Sequence, residues 1–209
     1  LGGEFSLTRI PTMVRMHPCS TVNCVLIDGV IELAQQHALT ADNVKSIDIE
    51  CHPRLQSIAP YTEPTDSYRA KFCPPYVTAA AIVDRAVGLK QFTDARVHDP
   101  VILSLMRRVR VHASAPVRAG QSWCNGDDNW CAVRISIECT DGRTVGGRYS
   151  QAKGWPATPA TWDDLKRKYE ECTQDVLPQA AVRESMAMIE DLQDLRSVRA
   201  LVDKLRPKN

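Results

Sequence analysis

Apolar residues recur along the chain with two different periods, and the switches between them mark out its elements. From Cys19 to Ala38, Val22, Val25, Leu26, Val30 and Leu33 fall three and four positions apart. That spacing predicts an amphipathic helix, with Ser20 or Thr21 as its natural cap. Val44 to Cys51 alternates instead, offering Val44 and then, after a one-residue slip, Ile47, Ile49 and Cys51 to one face of a strand. Ahead of the helix, Phe5 to Met16 reads as extended, and Pro11 restricts that stretch to an edge strand or a bulge.

Pro53 to Thr65 holds three prolines and few periodic apolar positions, which predicts a long loop of the kind that lines sites. Tyr68 to Arg85 returns to helical spacing around Val77, Ala80, Ala81 and Val83, with Gly88 as its closing residue. Thr93 to Arg107 predicts a further helix, with acids at Asp94 and Asp99 and Pro100 in a first turn. Arg108 to His112 alternates as a short strand. Cys131 to Cys139 and Arg143 to Ser150 flank Thr140-Asp-Gly-Arg143, and Asp-Gly supplies the positive φ that tight hairpins require. Ala119 to Asn129 is polar and predicts an exposed excursion, and Gln151 to Thr161 a second Pro/Gly loop.

Thr161-Trp-Asp-Asp164 then carries a threonine cap and an acid at the third helical position. Helices continue to the end, through Pro178 and a stripe of Leu192, Leu195, Val198, Leu201, Val202 and Leu205. Strands that form a hairpin and helices that gather toward the C-terminus predict an α+β fold. The expected architecture is a small mixed or antiparallel sheet with helices packed on one side, followed by C-terminal helices.

The helix start after Pro18 is the strongest local candidate for a ligand site. The first N–H groups of a helix lack intrahelical partners and sit at the positive end of its dipole, and here Arg15 and His17 add charge just upstream. Composition narrows the partner. The 209 residues carry a formal charge of only +1 with basic and acidic residues interspersed, so neither nucleic acid nor an anionic membrane is expected. The longest apolar run, Val77 to Val83, is too short to span a bilayer. With no signal-peptide pattern, the expected compartment is the cytoplasm, or the mitochondrial matrix in a eukaryote.

Eight cysteines include no Cys-x-x-Cys pair, which predicts reduced, mostly buried thiols rather than a zinc site. No Gly-x-Gly-x-x-Gly, phosphate-loop or His-Glu-x-x-His pattern occurs. His52, His98 and His112 stand singly, and His37 lies late on the first helix.

Five motifs in order extend this picture. Arg15-Met-His-Pro-Cys19 before a polar helix start, Ala70-Lys-Phe-Cys-Pro-Pro-Tyr76 opening a helix, Asp99-Pro-Val101 before Arg108-Val109, the Thr140 to Arg143 hairpin, and Lys153-Gly-Trp-Pro-Ala-Thr-Pro159 before Trp162-Asp-Asp-Leu165 together resemble the C-terminal half of the MmgE/PrpD family. The resemblance covers nearly the whole chain. It implies an α+β domain over residues 1–160 and C-terminal helices over 161–209, which pack on an N-terminal helical domain absent from this sequence. It also implies an active site between the two domains, a small polycarboxylate substrate, and no metal or organic cofactor. The expected assembly is a homodimer, and the chain alone is expected to be inactive.

The family includes 2-methylcitrate dehydratase, cis-aconitate decarboxylase and an iminodisuccinate epimerase. A dehydratase acting on a 2-methylcitrate-like tricarboxylate, with a place in propionate catabolism, is the leading expectation. A decarboxylase or epimerase of the same family, or a binding and assembly domain without catalysis, are the alternatives. Each reaction removes a proton beside a carboxylate, so it needs a base, and cationic or N–H donors to hold the substrate carboxylates. Arg15 suits bidentate carboxylate recognition. Together with His17, Ser20 and Lys71 it makes up the expected substrate-binding set, and Tyr76 and Cys24 are the expected catalytic residues. Relatives usually carry lysine three residues before the proline and, in many members, histidine six after it. Arg15 and Cys24 stand at those positions here. An arginine keeps the binding role but, always charged, is a poor proton carrier.

Overall fold

A computed structural model describes residues 12–113 and 131–206. Most of the expected strand from Phe5 to Met16, and the whole excursion from Ala119 to Asn129, lie outside the described residues. Those described fall into two compact units, one ending at Pro159 and the other beginning at Ala160.

The first unit is built on a mixed four-stranded sheet in the order β2-β1-β3-β4. Strand β1 (Val44–Cys51) pairs in parallel with β2 (Val109–Ala113) and antiparallel with β3 (Val133–Cys139), which in turn pairs antiparallel with β4 (Thr144–Tyr149). The fold is α+β. The predicted slip in β1 is a shift of register between Val44 and Ser46, and it lets Val44, Ile47, Ile49 and Cys51 all point inward. Gly142 turns the hairpin at φ +87°, in the left-handed region that favours glycine.

One sheet face is apolar. Ile47, Ile49, Ile135 and Ile137 are buried on it, each stabilising the fold by about 1.5–3 kcal/mol through burial. The opposite face is a grid of charges, with Lys45 paired to Glu138 at 2.7 Å, Arg110 to Asp48 at 3.1 Å and Arg134 to Glu50 at 3.5 Å. Such exposed pairs contribute little stability, but they keep that face wet.

The apolar face is covered by α1 (Thr21–Gln36), which packs on β3 and β4, and by α4 (Pro74–Asp84), which packs on α1 and β2. Helix α1 is buried on most sides through its first three turns rather than along a single stripe. Between β1 and β2 the chain differs from expectation in four places, three of them around a proline. The segment read as a loop contains α2 (Pro53–Ile58), because Pro53 fits a first helical turn and the His52 side chain accepts the Arg54 N–H at 3.1 Å.

The helix expected from Tyr68 to Arg85 is two, α3 (Ser67–Ala70) and α4, because Pro74 holds Cys73 extended. Helix α4 closes on Arg85 in the left-handed conformation, not on Gly88. The helix expected from Thr93 to Arg107 is likewise split, into α5 (Asp94–Val97) and α6 (Pro100–Met106). Asp99 is extended before Pro100 and caps α6 through the Val101 and Ile102 N–H groups.

The second unit holds α7 (Trp162–Thr173), α8 (Gln179–Glu190) and α9 (Val198–Lys204). Tyr169 and Ser185 meet by a 2.7 Å hydroxyl contact between α7 and α8. The apolar stripe near the C-terminus is broken between a short 3-10 turn and α9, whose cap is Ser197. Of its members Leu201 is buried, while Leu192, Val198, Val202 and Leu205 are exposed. No helix among the described residues is long and apolar enough to cross a membrane.

Candidate anion-binding site

Residues 12–20 form an irregular strap that leads into α1. The strap is fastened by a 2.8 Å hydrogen bond from the Val14 N–H to the Gly154 carbonyl. Gly154 sits at φ +87°, and a Cβ there would lie 2.2 Å from the Val14 oxygen, so the contact requires glycine. His17 adds a second fastening. Its Nδ1 lies 2.9 Å from the Val87 carbonyl and its Nε2 2.8 Å from Asp28 Oδ1, while Asp28 Oδ2 accepts the Lys153 N–H at 2.7 Å. The strap, α1, the loop after α4 and the turn around Gly154 therefore meet at one point.

This places the Arg15 guanidinium over the first turn of α1. It donates to Thr21 Oγ1 at 2.6 Å and toward the Cys19 carbonyl at 3.4 Å, and the side chain is otherwise exposed. Ser20 is the N-cap residue, yet its side chain makes no capping hydrogen bond, and its buried hydroxyl has no partner. No acid lies in the first turn of α1. Asn23 faces the next element: its Nδ2 donates to the Lys71 carbonyl at 3.3 Å, and its buried Oδ1 has no partner. The Ser20 N–H also donates to the Lys71 carbonyl, at 3.0 Å. The stretch after α3 is thus tied to the mouth of α1, and Lys71 Nζ lies 6.0 Å from the centroid of the Phe92 ring.

Tyr76 lies in the first turn of α4, fully buried. It packs against Phe92 at 6.0 Å and donates its hydroxyl to the Gln91 carbonyl. Burial pushes its pKa up, so the phenol stays protonated. Cys19 and Cys24 occupy the positions just before the cap and at the fourth helical residue, where apolar side chains commonly staple a helix start. Both are buried, and both thiols approach the Ser20 carbonyl, at 3.5 and 3.8 Å. The Cys19 thiol and the nearby His17 and Arg15 hold the Cys24 pKa down against burial, while its neighbour and burial push Cys19 up.

The six residues singled out from the sequence thus do not form a single cluster of free groups. Arg15 and Ser20 meet at the start of α1, Lys71 reaches it through its backbone carbonyl while its ammonium lies toward Phe92, Cys24 lies one turn in, and His17 and Tyr76 have their polar atoms engaged by protein partners. Asn23 and Asp28 were missed. Asp28 carried a signal, as the one acid within the apolar run Val25-Leu-Ile-Asp-Gly-Val-Ile31. Among the described residues six cysteines are buried and Cys172 is exposed. No group of His, Cys, Asp or Glu among the described residues is arranged to hold a metal ion.

Fold and site together define a domain in which a helix packed on a mixed sheet opens its N-terminus beneath a guanidinium. Residues 17–194 match the profile of the MmgE/PrpD C-terminal domain, and the chain belongs to the MmgE/PrpD family. No curated protein gives a significant match.

Proposed function

We propose that this domain is the carboxylate-gripping wall of a cofactor-independent lyase acting on a small polycarboxylate, with a dehydratase of the 2-methylcitrate type as the specific reading. The observation that carries it is the open start of α1, where Arg15 stands over the first turn and the buried Ser20 hydroxyl lacks a partner. A carboxylate there accepts from Arg15 and from first-turn N–H groups other than that of Asn23, which donates to the Ser20 carbonyl at 2.9 Å, in the field of the helix dipole. Lys71 takes a second carboxylate from the neighbouring stretch. Developing negative charge beside a carboxylate is stabilised by the same donors.

Cys24, one turn into α1 and with its pKa held down by the Cys19 thiol, is the proton-exchanging group of this reading. Tyr76, kept protonated, serves as a hydrogen-bond donor if the Gln91 contact opens. An N-terminal helical domain supplies the rest of the site and receives the exposed apolar side chains of the second unit. In a full-length protein containing both domains, loss of water from 2-methylcitrate is read as a rise in ultraviolet absorbance from the conjugated double bond. Turnover supports the reading, and no turnover with any polycarboxylate rejects it.

A second reading, a binding or assembly domain without catalysis, is favoured by one specific observation. The Tyr76 hydroxyl and both His17 nitrogens already have protein partners. Tight polycarboxylate binding by the full-length protein with no chemical change supports that reading over the first.

A further inference from the structure

We infer that His17 is a doubly protonated positioning residue whose two hydrogen bonds clamp the strap carrying Arg15, so that the hold on a carboxylate weakens when His17 loses a proton. The inference deepens the proposed function, since it concerns the same helix start. Its basis is geometric. The Val87 carbonyl at 2.9 Å is an acceptor only, so Nδ1 carries a hydrogen. Asp28 Oδ1 at 2.8 Å is a carboxylate oxygen whose partner oxygen already accepts the Lys153 N–H, so Nε2 carries one as well. A ring with both nitrogens protonated is an imidazolium.

The charges around it come from every packed element. Asp28 and Cys24 face it from α1, Cys19 and Arg15 lie beside it on the strap, and the Val87 carbonyl faces it from the loop after α4. Burial by itself lowers the pKa of His17, but the Asp28 hydrogen bond and charge, with the Val87 carbonyl, outweigh it and hold the value above the usual one. The sign of the pH effect follows. A folded pKa above the unfolded value, about 6.5, contributes stability that is complete below that pH and fades as pH rises through the folded value. Loss of the Nε2 proton leaves a bare ring nitrogen facing a carboxylate, and the strap is released on the side where Val14 meets Gly154.

The test is a nuclear magnetic resonance titration of the whole chain, following the His17 imidazole and hydrogen exchange at the Val14 amide. Loss of one of two ring protons is expected with a midpoint above about 6.5. Val14 exchange, corrected for its intrinsic pH dependence, is expected to accelerate by roughly tenfold or more across that midpoint, as for loss of a charge-assisted bond. Asp28→Asn is expected to move the midpoint down and to remove the step in Val14 exchange. A midpoint at or below the usual value, or Val14 exchange indifferent to the titration, overturns the inference. In the full-length protein the polycarboxylate KM is expected to rise over the same range while kcat at saturation holds, and a kcat that falls with an unchanged KM also overturns it. If the full-length protein turns over nothing, the functional reading fails, and the titration and exchange data still decide the role of His17.

Discussion

Helix α7 begins with Thr161 and Asp164 closed on each other, whereas α1 begins with a buried serine hydroxyl that bonds to nothing. At α7 the Thr161 side chain accepts the Asp164 N–H at 3.2 Å, the Asp164 carboxylate accepts the Thr161 N–H at 2.9 Å, and Asp163 and Asp164 place negative charge at the positive end of the dipole. At α1 there is no acid in the first turn, no capping side-chain bond, and a guanidinium overhead. One start satisfies its own donors. The other has no first-turn acid, and on the proposed function an incoming carboxylate supplies what Asp164 supplies at α7. The starts of α4 and α8 also lack a capping side-chain bond and a first-turn acid, so what sets α1 apart is the guanidinium of Arg15 over its first turn and the buried Ser20 hydroxyl without a partner.

The comparison breaks most sharply if α1 is made to resemble α7. Ser20→Asp places a carboxylate at the open cap, where it competes from within for the donors offered to substrate. Binding of a tricarboxylate, measured by calorimetry, is expected to fall by roughly a hundredfold or more as the Arg15 and first-turn hydrogen bonds are taken up, while the melting temperature holds or rises. A variant that binds as before removes the basis for calling α1 the site. Next in size is Arg15→Ala. Loss of a charge-assisted pair to a carboxylate is expected to weaken binding by roughly tenfold to a hundredfold, with little change in melting because the side chain is exposed and anchors mainly Thr21.

The smallest effects sharpen the contrast between the two caps. Thr161→Ala is expected to lower stability by about 1 kcal/mol, since it removes a hydroxyl that both accepts from and donates to Asp164. Ser20→Ala removes a hydroxyl with no partner, so its stability is expected to stay within about 0.5 kcal/mol of the parent. Equal losses at the two positions in denaturant unfolding contradict the distinction.

Much of this arrangement was legible in the sequence because it is local. The slip after Val44, the Asp-Gly turn and the Thr161 box are each set by residues within a few positions of one another, and the structure contains all three. Prolines misled where their two roles conflict. Pro53, Pro74 and Pro100 each start a helix while holding the preceding residue extended, so a stretch read as a loop holds a short helix and two long helical patterns are each split.

The site was half legible. Arg15, Ser20 and the helix start are adjacent in sequence, and Lys71 was flagged by its motif. The His17 clasp was not legible, since it joins His17 to Val87 and Asp28 to Lys153, partners 70 and 125 positions apart. Nothing in the local pattern announces that the imidazole faces inward to protein acceptors rather than outward to a ligand. The parallel pairing of β1 with β2 is hidden for the same reason, because helices α2 to α6 lie between them.

The most direct measurement is an amide nuclear magnetic resonance titration with a tricarboxylate such as 2-methylcitrate, run on the parent and on Arg15→Ala. The expected result is saturable shifts confined to the amides of residues 20–24 and the Arg15 side chain, much weakened in the variant. Shifts on the charged sheet face around Arg110 and Arg134, or an identical response from the variant, contradict an anion site at the start of α1.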